Sequence, residues 1–132
     1  MKNSRFINNE RSGAMRGYKI IQTDGKWLFQ LFPNNNNYQE VGSSELFDSY
    51  EECIAGITRF RNLILDNHVN SLDSNFVSVV KCDREAFLEY RAGDKVIFRS
   101  RKYSSSSPTT LCKKCAASIY RYIDAYTLKQ VF

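Results

Sequence analysis

Four cysteines are the first residues in this sequence that could do chemistry. Cys112 and Cys115 are separated by two lysines, a spacing used by metal sites and redox pairs, and nearby cations lower a thiol pKa. A closed zinc site would need two more ligands, which no second Cys-x-x-Cys provides. Cys53 holds the place in an earlier helix that Cys115 holds in a later one, which favours small buried side chains. We therefore predict reduced, metal-free thiols, with a redox pair and a zinc site as the alternatives.

Other catalytic groups have no recognisable partners. His68 is the single histidine, and no nucleophile or acid stands at a spacing typical of a catalytic pair. Asp83, Glu85 and Glu89 could hold the metal of a nuclease if they converged from different strands, although scattered surface acids are commoner. The sequence contains no glycine-rich phosphate loop and no nucleophile elbow. We predict no catalytic residue, no cofactor and no small-molecule substrate.

Charge is distributed unevenly along the 132 residues. Residues 1–16 carry a net +3, residues 17–66 a net −3 and residues 67–132 a net +5, within a total of +5. Such a basic half attracts an acidic partner, either nucleic acid or nucleoprotein or an acidic protein surface. The residues predicted to bind this partner lie on the second hairpin and the following helix: Arg91, Lys95, Arg99, Arg101, Lys102, Tyr103, Lys113 and Lys114.

The sequence pattern of the basic hairpin does not decide which face of the strand its charged residues occupy. In an unbroken strand Arg99, Arg101 and Tyr103 share one face, a row suited to phosphates, bases or a protein interface. Ile97 falls on that face as well, so either a bulge intervenes or the face is partly buried. The alternative is a solvated strand whose charges serve solubility and protect an edge.

The elements that must position these residues begin with two strands and a helix. Residues 18–22 and 27–32 alternate around an Asp24-Gly25 turn, and residues 38–47 can supply a third strand. Ser49 and Glu52 form a capping box at the start of a helix over residues 50–66. Its predicted buried stripe is Cys53, Ile57, Phe60 and Ile64.

The same order of elements follows in the second half. Residues 76–80, 86–91 and 95–103 have strand character, and Ser107-Pro108 begins a second helix. The predicted stripe of this helix is Leu111, Cys115, Ile119, Tyr122 and Tyr126. We expect the core to contain Trp27, Phe29, Leu31, Ile57, Phe60, Leu88, Ile119 and Tyr122.

The two halves align with each other. Cys53-x-Ala-x-Ile57-x-Arg59-aromatic matches Cys115-x-Ala-x-Ile119-x-Arg121-aromatic, while Phe29 aligns with Leu88 and Phe47 with Tyr103. The sequence therefore predicts an α+β fold formed by tandem duplication of a βββα unit, with antiparallel sheets that each pack one helix about an approximate two-fold. The predicted organisation is a flexible basic arm (1–16), a first unit (17–66), a linker (67–75) and a second unit with a C-terminal tail (76–132), all in one compact domain.

These residues resemble the YegP-like family of small bacterial and archaeal proteins. The resemblance is carried by Gly25-x-Trp27-x-Phe29-x-Leu31, by Ser44-Glu45-x-Phe47, and by the segments starting at Cys53 and Cys115. It covers residues 18–123 and implies the tandem βββα fold. The family's Asn-Gly turn is absent from both units, and Ala86 and Ser118 replace the aromatic and glycine found at Trp27 and Gly56. Because the family is uncharacterised, the resemblance implies no activity.

Composition narrows the remaining possibilities. The chain is 42% hydrophobic and 25% charged, an ordinary globular mixture with no apolar stretch long enough for a membrane helix and no signal-peptide pattern. We therefore expect a soluble, cytoplasmic protein that does not bind membranes. The favoured function is a non-enzymatic binding module. The alternatives are an inhibitor of a host nucleoprotein, such as a CRISPR effector, encoded by a phage or mobile element, and then a thiol-redox or nuclease enzyme.

Overall fold

A computed structural model describes residues 4–6, 17–32, 40–72 and 75–123. Two helices lie over Tyr50–Asp66 (α1) and Pro108–Tyr122 (α2). The strands are β1 Ser4–Phe6, β2 Gly17–Thr23, β3 Lys26–Phe32, β4 Gly42–Ser44, β5 Val77–Cys82, β6 Glu85–Ala92, β7 Lys95–Ser100 and β8 Tyr103–Ser104. No helix of these ranges is long and apolar enough to cross a membrane.

Local sequence explains how the first elements start and stop. Asp24 and Gly25 adopt φ of 52° and 78°, the left-handed region that a two-residue hairpin turn requires between β2 and β3. Ser49 accepts a hydrogen bond from the Glu52 backbone N–H at 3.1 Å, and the Glu52 carboxylate accepts one from the Asp48 N–H at 3.2 Å. The bond to Ser49 is the one that the predicted capping box requires, whereas the returning bond to Glu52 comes from Asp48, one residue before the cap, rather than from Ser49.

All the described strands form one antiparallel sheet rather than two. The order is β1-β2-β3-β4-β7-β6-β5, and β8 adds to β6 beyond the end of β7. The halves join where β4 pairs with β7, with Ser43 opposite Arg99. The expectation of separate sheets, each with one helix, therefore gives way to a continuous one, because joining covers one strand edge of each half that would otherwise remain unpaired.

Hydrogen bonds repeat about the Ser43–Arg99 pair. The Glu45 N–H donates to the Ile97 carbonyl at 3.2 Å, and the Arg101 N–H donates to the Val41 carbonyl at 2.7 Å. In one half the Ser44 hydroxyl oxygen accepts from the Phe29 N–H at 2.9 Å. In the other, the Ser100 hydroxyl oxygen accepts from the Leu88 N–H at 2.8 Å. The pairs Trp27–Phe47 and Ala86–Tyr103 also correspond. Each half thus meets the junction through the same set of contacts.

Both helices pack on one face of the sheet. Phe60 of α1 stacks on Phe98 with ring centroids 4.4 Å apart and meets Tyr90 edge-on at 5.4 Å. Tyr90 also lies close to the thiols of α2, so its side chain lies between the two helices on this face of the sheet. The predicted α1 stripe is fully buried, as are all the expected core residues except two. Trp27 is half-buried against Tyr50, and the side chain of Tyr122 lies outside the described part.

Several predicted bounds change. The third strand shrinks to β4, and the strand expected over 95–103 breaks after Ser100 before β8 resumes. Within the segment predicted to be a flexible arm, residues 4–6 pair with β2 as a strand. The buried stripe of α2 contains Cys112, Cys115, Ala116, Ile119 and Ile123, whereas Leu111 is only half-buried. Tyr126 and the remainder of the arm and tail lie outside the described residues.

Replacing Gly42 by alanine should destabilise the protein by about 1–3 kcal/mol, because the junction leaves no space for a side chain. A Cβ there would overlap the Arg99 carbonyl oxygen and approach Ser100 Cα to 2.7 Å. Urea unfolding measures the change, with Ser43→Ala, on the other face of the same strand, as the control. Equal stability of Gly42→Ala and the parent would contradict this packing.

Candidate partner-binding surface

A bulge in β7 decides which way the basic side chains face. Tyr90 pairs with Phe98 but Arg91 pairs with Val96, so Ile97 is an extra residue. Ile97 and Phe98 are consequently both buried toward the helices, while Arg99 is exposed on the opposite face. Of the two possibilities that the pattern left open, the bulge is the correct one.

Two of the predicted binding arginines hold an internal carboxylate. The side chain of Glu89 is 10% exposed; it accepts a hydrogen bond from Arg99 Nε at 2.9 Å and one from an Arg91 terminal nitrogen at 2.7 Å. The hydrogen bond from Arg99 is the main cause of a lowered pKa for Glu89, with a smaller contribution from Arg91. Their first role is therefore to compensate a buried charge.

Lys95 is neutralised in a similar way. Its Nζ lies 2.8 Å from Glu45 Oε1, and Arg59 of α1 lies 3.9 Å from the other oxygen. The Glu45 side chain is only 13% exposed. Glu45 therefore ties the β6–β7 turn to α1, and Lys95 is not a free cation. Sequence reasoning did not assign Glu45 or Glu89 this role, and regular hairpin register would place Glu89 opposite Phe98, because only the bulge at Ile97 brings it opposite Arg99.

Arg101 and Tyr103 form a cation–aromatic pair at the break between β7 and β8. The guanidinium carbon lies 4.8 Å from the centre of the Tyr103 ring. The Tyr103 hydroxyl and the Cys115 thiol of α2 are hydrogen-bonded to each other, and burial raises the pKa of Tyr103. Tyr103 therefore fixes Arg101 beside the first half of α2.

The remaining cations are exposed and have no carboxylate partner among the described residues. Lys102 follows Arg101, and Lys113 and Lys114 lie on α2, which packs against β8. The first turn of α2 contains no acidic residue, and the Ser107 side chain makes no capping bond. The first turn of α1, in contrast, contains Glu51 and Glu52. The name α2 cation cluster is used below for Arg101, Lys102, Lys113 and Lys114, with Tyr103 as its aromatic member.

The thiols are placed unfavourably for redox chemistry. Cys53, Cys112 and Cys115 are buried, and Cys82 is exposed. Burial raises the pKa of Cys53 to about 12 and that of Cys115 to about 11. A reactive thiol needs the opposite shift, which disfavours the redox alternative. Across residues 4–6, 17–32, 40–72 and 75–123, no three His, Cys, Asp or Glu side chains cluster as metal ligands would.

The other candidate groups are not assembled into a site. Asp83 occupies the β5–β6 turn with φ 57°, the Glu85 carboxylate accepts from the Ser104 hydroxyl at 3.2 Å, and Glu89 is held by arginines. Nδ1 of His68 lies 3.3 Å from the Tyr120 hydroxyl. The three acids therefore do not converge as a nuclease metal site requires.

Comparison with known proteins gives one structural relative. The solution NMR structure of the UPF0339 protein SO3888 from Shewanella oneidensis matches with a TM-score of 0.59 at 17% identity, covering 77% of this chain and 79% of that one. UPF0339 is the YegP family, so the chain has a YegP-like fold. No family model and no curated protein matches the sequence.

In the native protein only Cys82 should react with a thiol reagent within minutes, because the other three thiols are buried and have raised pKa values or no solvent access. The release of thionitrobenzoate from Ellman's reagent counts reactive thiols, and Cys82→Ser should remove the fast phase. Rapid labelling of Cys112 or Cys115 in folded Cys82→Ser protein would contradict the burial.

Glu89 should make stability depend on pH. Since its folded pKa is lowered, its contribution is present above the unfolded value of about 4.5 and is lost as pH falls through the folded pKa. Glu89→Gln should therefore lose about 1–3 kcal/mol at pH 7 and show a smaller decline between pH 7 and pH 3. Chemical unfolding at each pH measures this. The exposed Glu85→Gln serves as the control, and parallel pH profiles of Glu89→Gln and the parent would contradict the ion pairs.

Proposed function

We infer that the chain arose by tandem duplication of a βββα unit. The support is the repetition of hydrogen bonds on the two sides of the Ser43–Arg99 pair. The bond from the Glu45 N–H to the Ile97 carbonyl in one half corresponds to the bond from the Arg101 N–H to the Val41 carbonyl in the other. The repeated serine hydroxyls at Ser44 and Ser100 add to it. Positions in β2 and β3 correspond to positions in β5 and β6 with a constant offset along the sequence, as Asp24 does to Asp83 at the two turns.

On this scaffold we propose a non-enzymatic binding module whose second half docks an acidic partner through the α2 cation cluster. The observation that carries the proposal is the exposure of Lys102, Lys113 and Lys114 on the elements next to the Arg101–Tyr103 pair, where no carboxylate of the described residues pairs with them. Lys113 and Lys114 lie one turn inside α2, and the first turn of that helix contains no acidic residue to offset their charge.

Internal pairing divides the predicted binding residues into two groups. Arg91, Arg99 and Lys95 form ion pairs with the poorly exposed carboxylates of Glu89 and Glu45, so a partner would have to compete with these carboxylates for them. Charge reversal at Arg99 would place two carboxylates side by side and test folding rather than binding. The lysines of the α2 cation cluster are the sharper target.

The chemistry of the cluster suits phosphate groups and carboxylates alike. Exposed ammonium groups act as point charges, and the stacked guanidinium adds directional donors. If the partner is single-stranded RNA, binding releases counterions and weakens steeply with salt. An acidic protein surface should give a shallower dependence. The salt slope therefore distinguishes the two kinds of partner.

The variant Lys113→Gln/Lys114→Gln should weaken binding to a labelled twenty-nucleotide RNA or to a polyglutamate peptide by about tenfold or more. With the RNA, the log–log salt slope should also fall by about 0.7 for each lysine removed. Fluorescence anisotropy at several salt concentrations measures both quantities.

The matched control is Ala55→Glu/Thr58→Glu, which makes the same change in net charge at exposed positions of α1. It should leave binding close to that of the parent. If the two double variants lose affinity equally, general charge rather than the cluster governs binding. If neither polyanion binds at low salt, the proposed function is wrong.

A further inference from the structure

The outer edge of β5 carries backbone N–H and C=O groups that pair with no strand of the described residues. The Arg91 N–H donates to the Phe76 carbonyl at 2.8 Å, and antiparallel pairing alternates, so Ser78 and Val80 direct their backbone groups toward β6. Val77, Val79 and Lys81 therefore direct their N–H and C=O groups away from the sheet. In the described part of the chain no strand lies beside them.

The corresponding edge in the other half is occupied. There β1 pairs with β2, with Arg5 opposite Ile20 and Phe6 opposite Lys19. Ile20 corresponds to Val79, since each stands four residues before its hairpin turn and directs its backbone groups outward. The sheet thus accepts a further strand at this position in one half, while in the other half no described strand occupies it.

We propose that the β5 edge binds the β5 edge of a second copy of this chain, antiparallel and centred on Val79, to form one continuous sheet across a two-fold axis. The proposal concerns the edge of the sheet and does not rest on the α2 cation cluster. Pairing would satisfy the outward N–H and C=O groups of Val77, Val79 and Lys81 in both copies.

The sequence of β5 is self-complementary in this register. Val79 meets its own copy, Ser78 lies opposite Val80, and Val77 lies opposite Lys81, so no like charges are paired. The two Lys81 residues stand about 14 Å apart, beyond the Debye length at physiological salt. The strand is regular over six residues, with three valines and no proline or glycine. These are the properties of an edge that pairs with another strand.

A second copy also extends an apolar surface. Val80 and its cross-strand partner Phe87 are half-buried on the sheet face that carries no helix. In this register Val80 lies opposite Ser78 of the second copy and diagonal to its Val80, so the two valines approach each other next to the new backbone hydrogen bonds. A strand with the same valine-rich pattern therefore fits this edge, and β5 of a second copy is such a strand.

Sedimentation velocity over a concentration series tests the proposal. The parent should show a reversible monomer–dimer equilibrium. Ser78→Lys/Val80→Lys sets lysine against lysine across the axis twice and should raise the dimer Kd about tenfold or more. Ser78→Lys/Val80→Glu sets lysine against glutamate at the same positions, keeps a second carboxylate away from Glu89 on the neighbouring strand, and should dimerise at least as well as the parent. Ala55→Lys/Thr58→Lys, which adds the same charge on α1, should not change the equilibrium.

Circular dichroism establishes that each variant is folded, and the substituted β5 positions face the side without helices. A parent that stays monomeric up to about 1 mM overturns the proposal, because even a weak pairing would be visible there. A dimer whose Kd is the same for the lysine–lysine variant and the lysine–glutamate variant also overturns it, since the contact would then lie elsewhere. A difference between these two variants in the stated direction supports it.

Discussion

The pairing of β4 with β7 is the contact on which the rest of this structure depends. Three residues of each strand pair, with Ser43 and Arg99 at the centre, and this pairing joins the strands of the two halves into one sheet. Gly42 permits the close approach, because any side chain there would meet the backbone of Arg99 and Ser100. The aromatic packing of Phe60 against Phe29 and Phe98 spans the same junction on the helix side. The hydrophobic core is therefore shared between the halves.

The junction also determines the electrostatics of the basic half. The bulge that buries both Ile97 and Phe98 places Arg99 on the far face, in reach of Glu89 on the neighbouring strand. A carboxylate so poorly exposed needs compensating cations, and two arginines provide them. The predicted binding cations that contact no carboxylate among the described residues are consequently those around α2. Net charge along the sequence points to the second half of the chain, and ion pairing divides its predicted binding cations into those that contact a carboxylate and those that contact none among the described residues.

The two halves differ at structurally equivalent places. α1 is capped by the Ser49 side chain and has acidic residues in its first turn. The Ser107 side chain makes no capping bond to α2, and that helix contains Lys113 and Lys114 instead. Phe47 in the first half corresponds to Tyr103 in the second, where a hydroxyl now contacts Cys115 and a guanidinium lies over the ring. β2 has a neighbouring strand at its outer edge and β5 has none in the described residues. A fold with related halves thus presents a different surface at each end.

Local patterns in the sequence determined the elements themselves. The capping box and the stripe Cys53, Ile57, Phe60, Ile64 predicted α1 at its observed bounds, and Asp24-Gly25 predicted the first hairpin, because these signals act within a few residues. The resemblance to YegP-like proteins predicted the class of fold. Only the tertiary structure decided that there is one sheet, that the strand after Ser100 breaks, and that Glu45 and Glu89 neutralise Lys95, Arg91 and Arg99. These outcomes depend on strand register and on side chains distant in sequence, and a one-residue bulge suffices to exchange the faces on which charged residues lie.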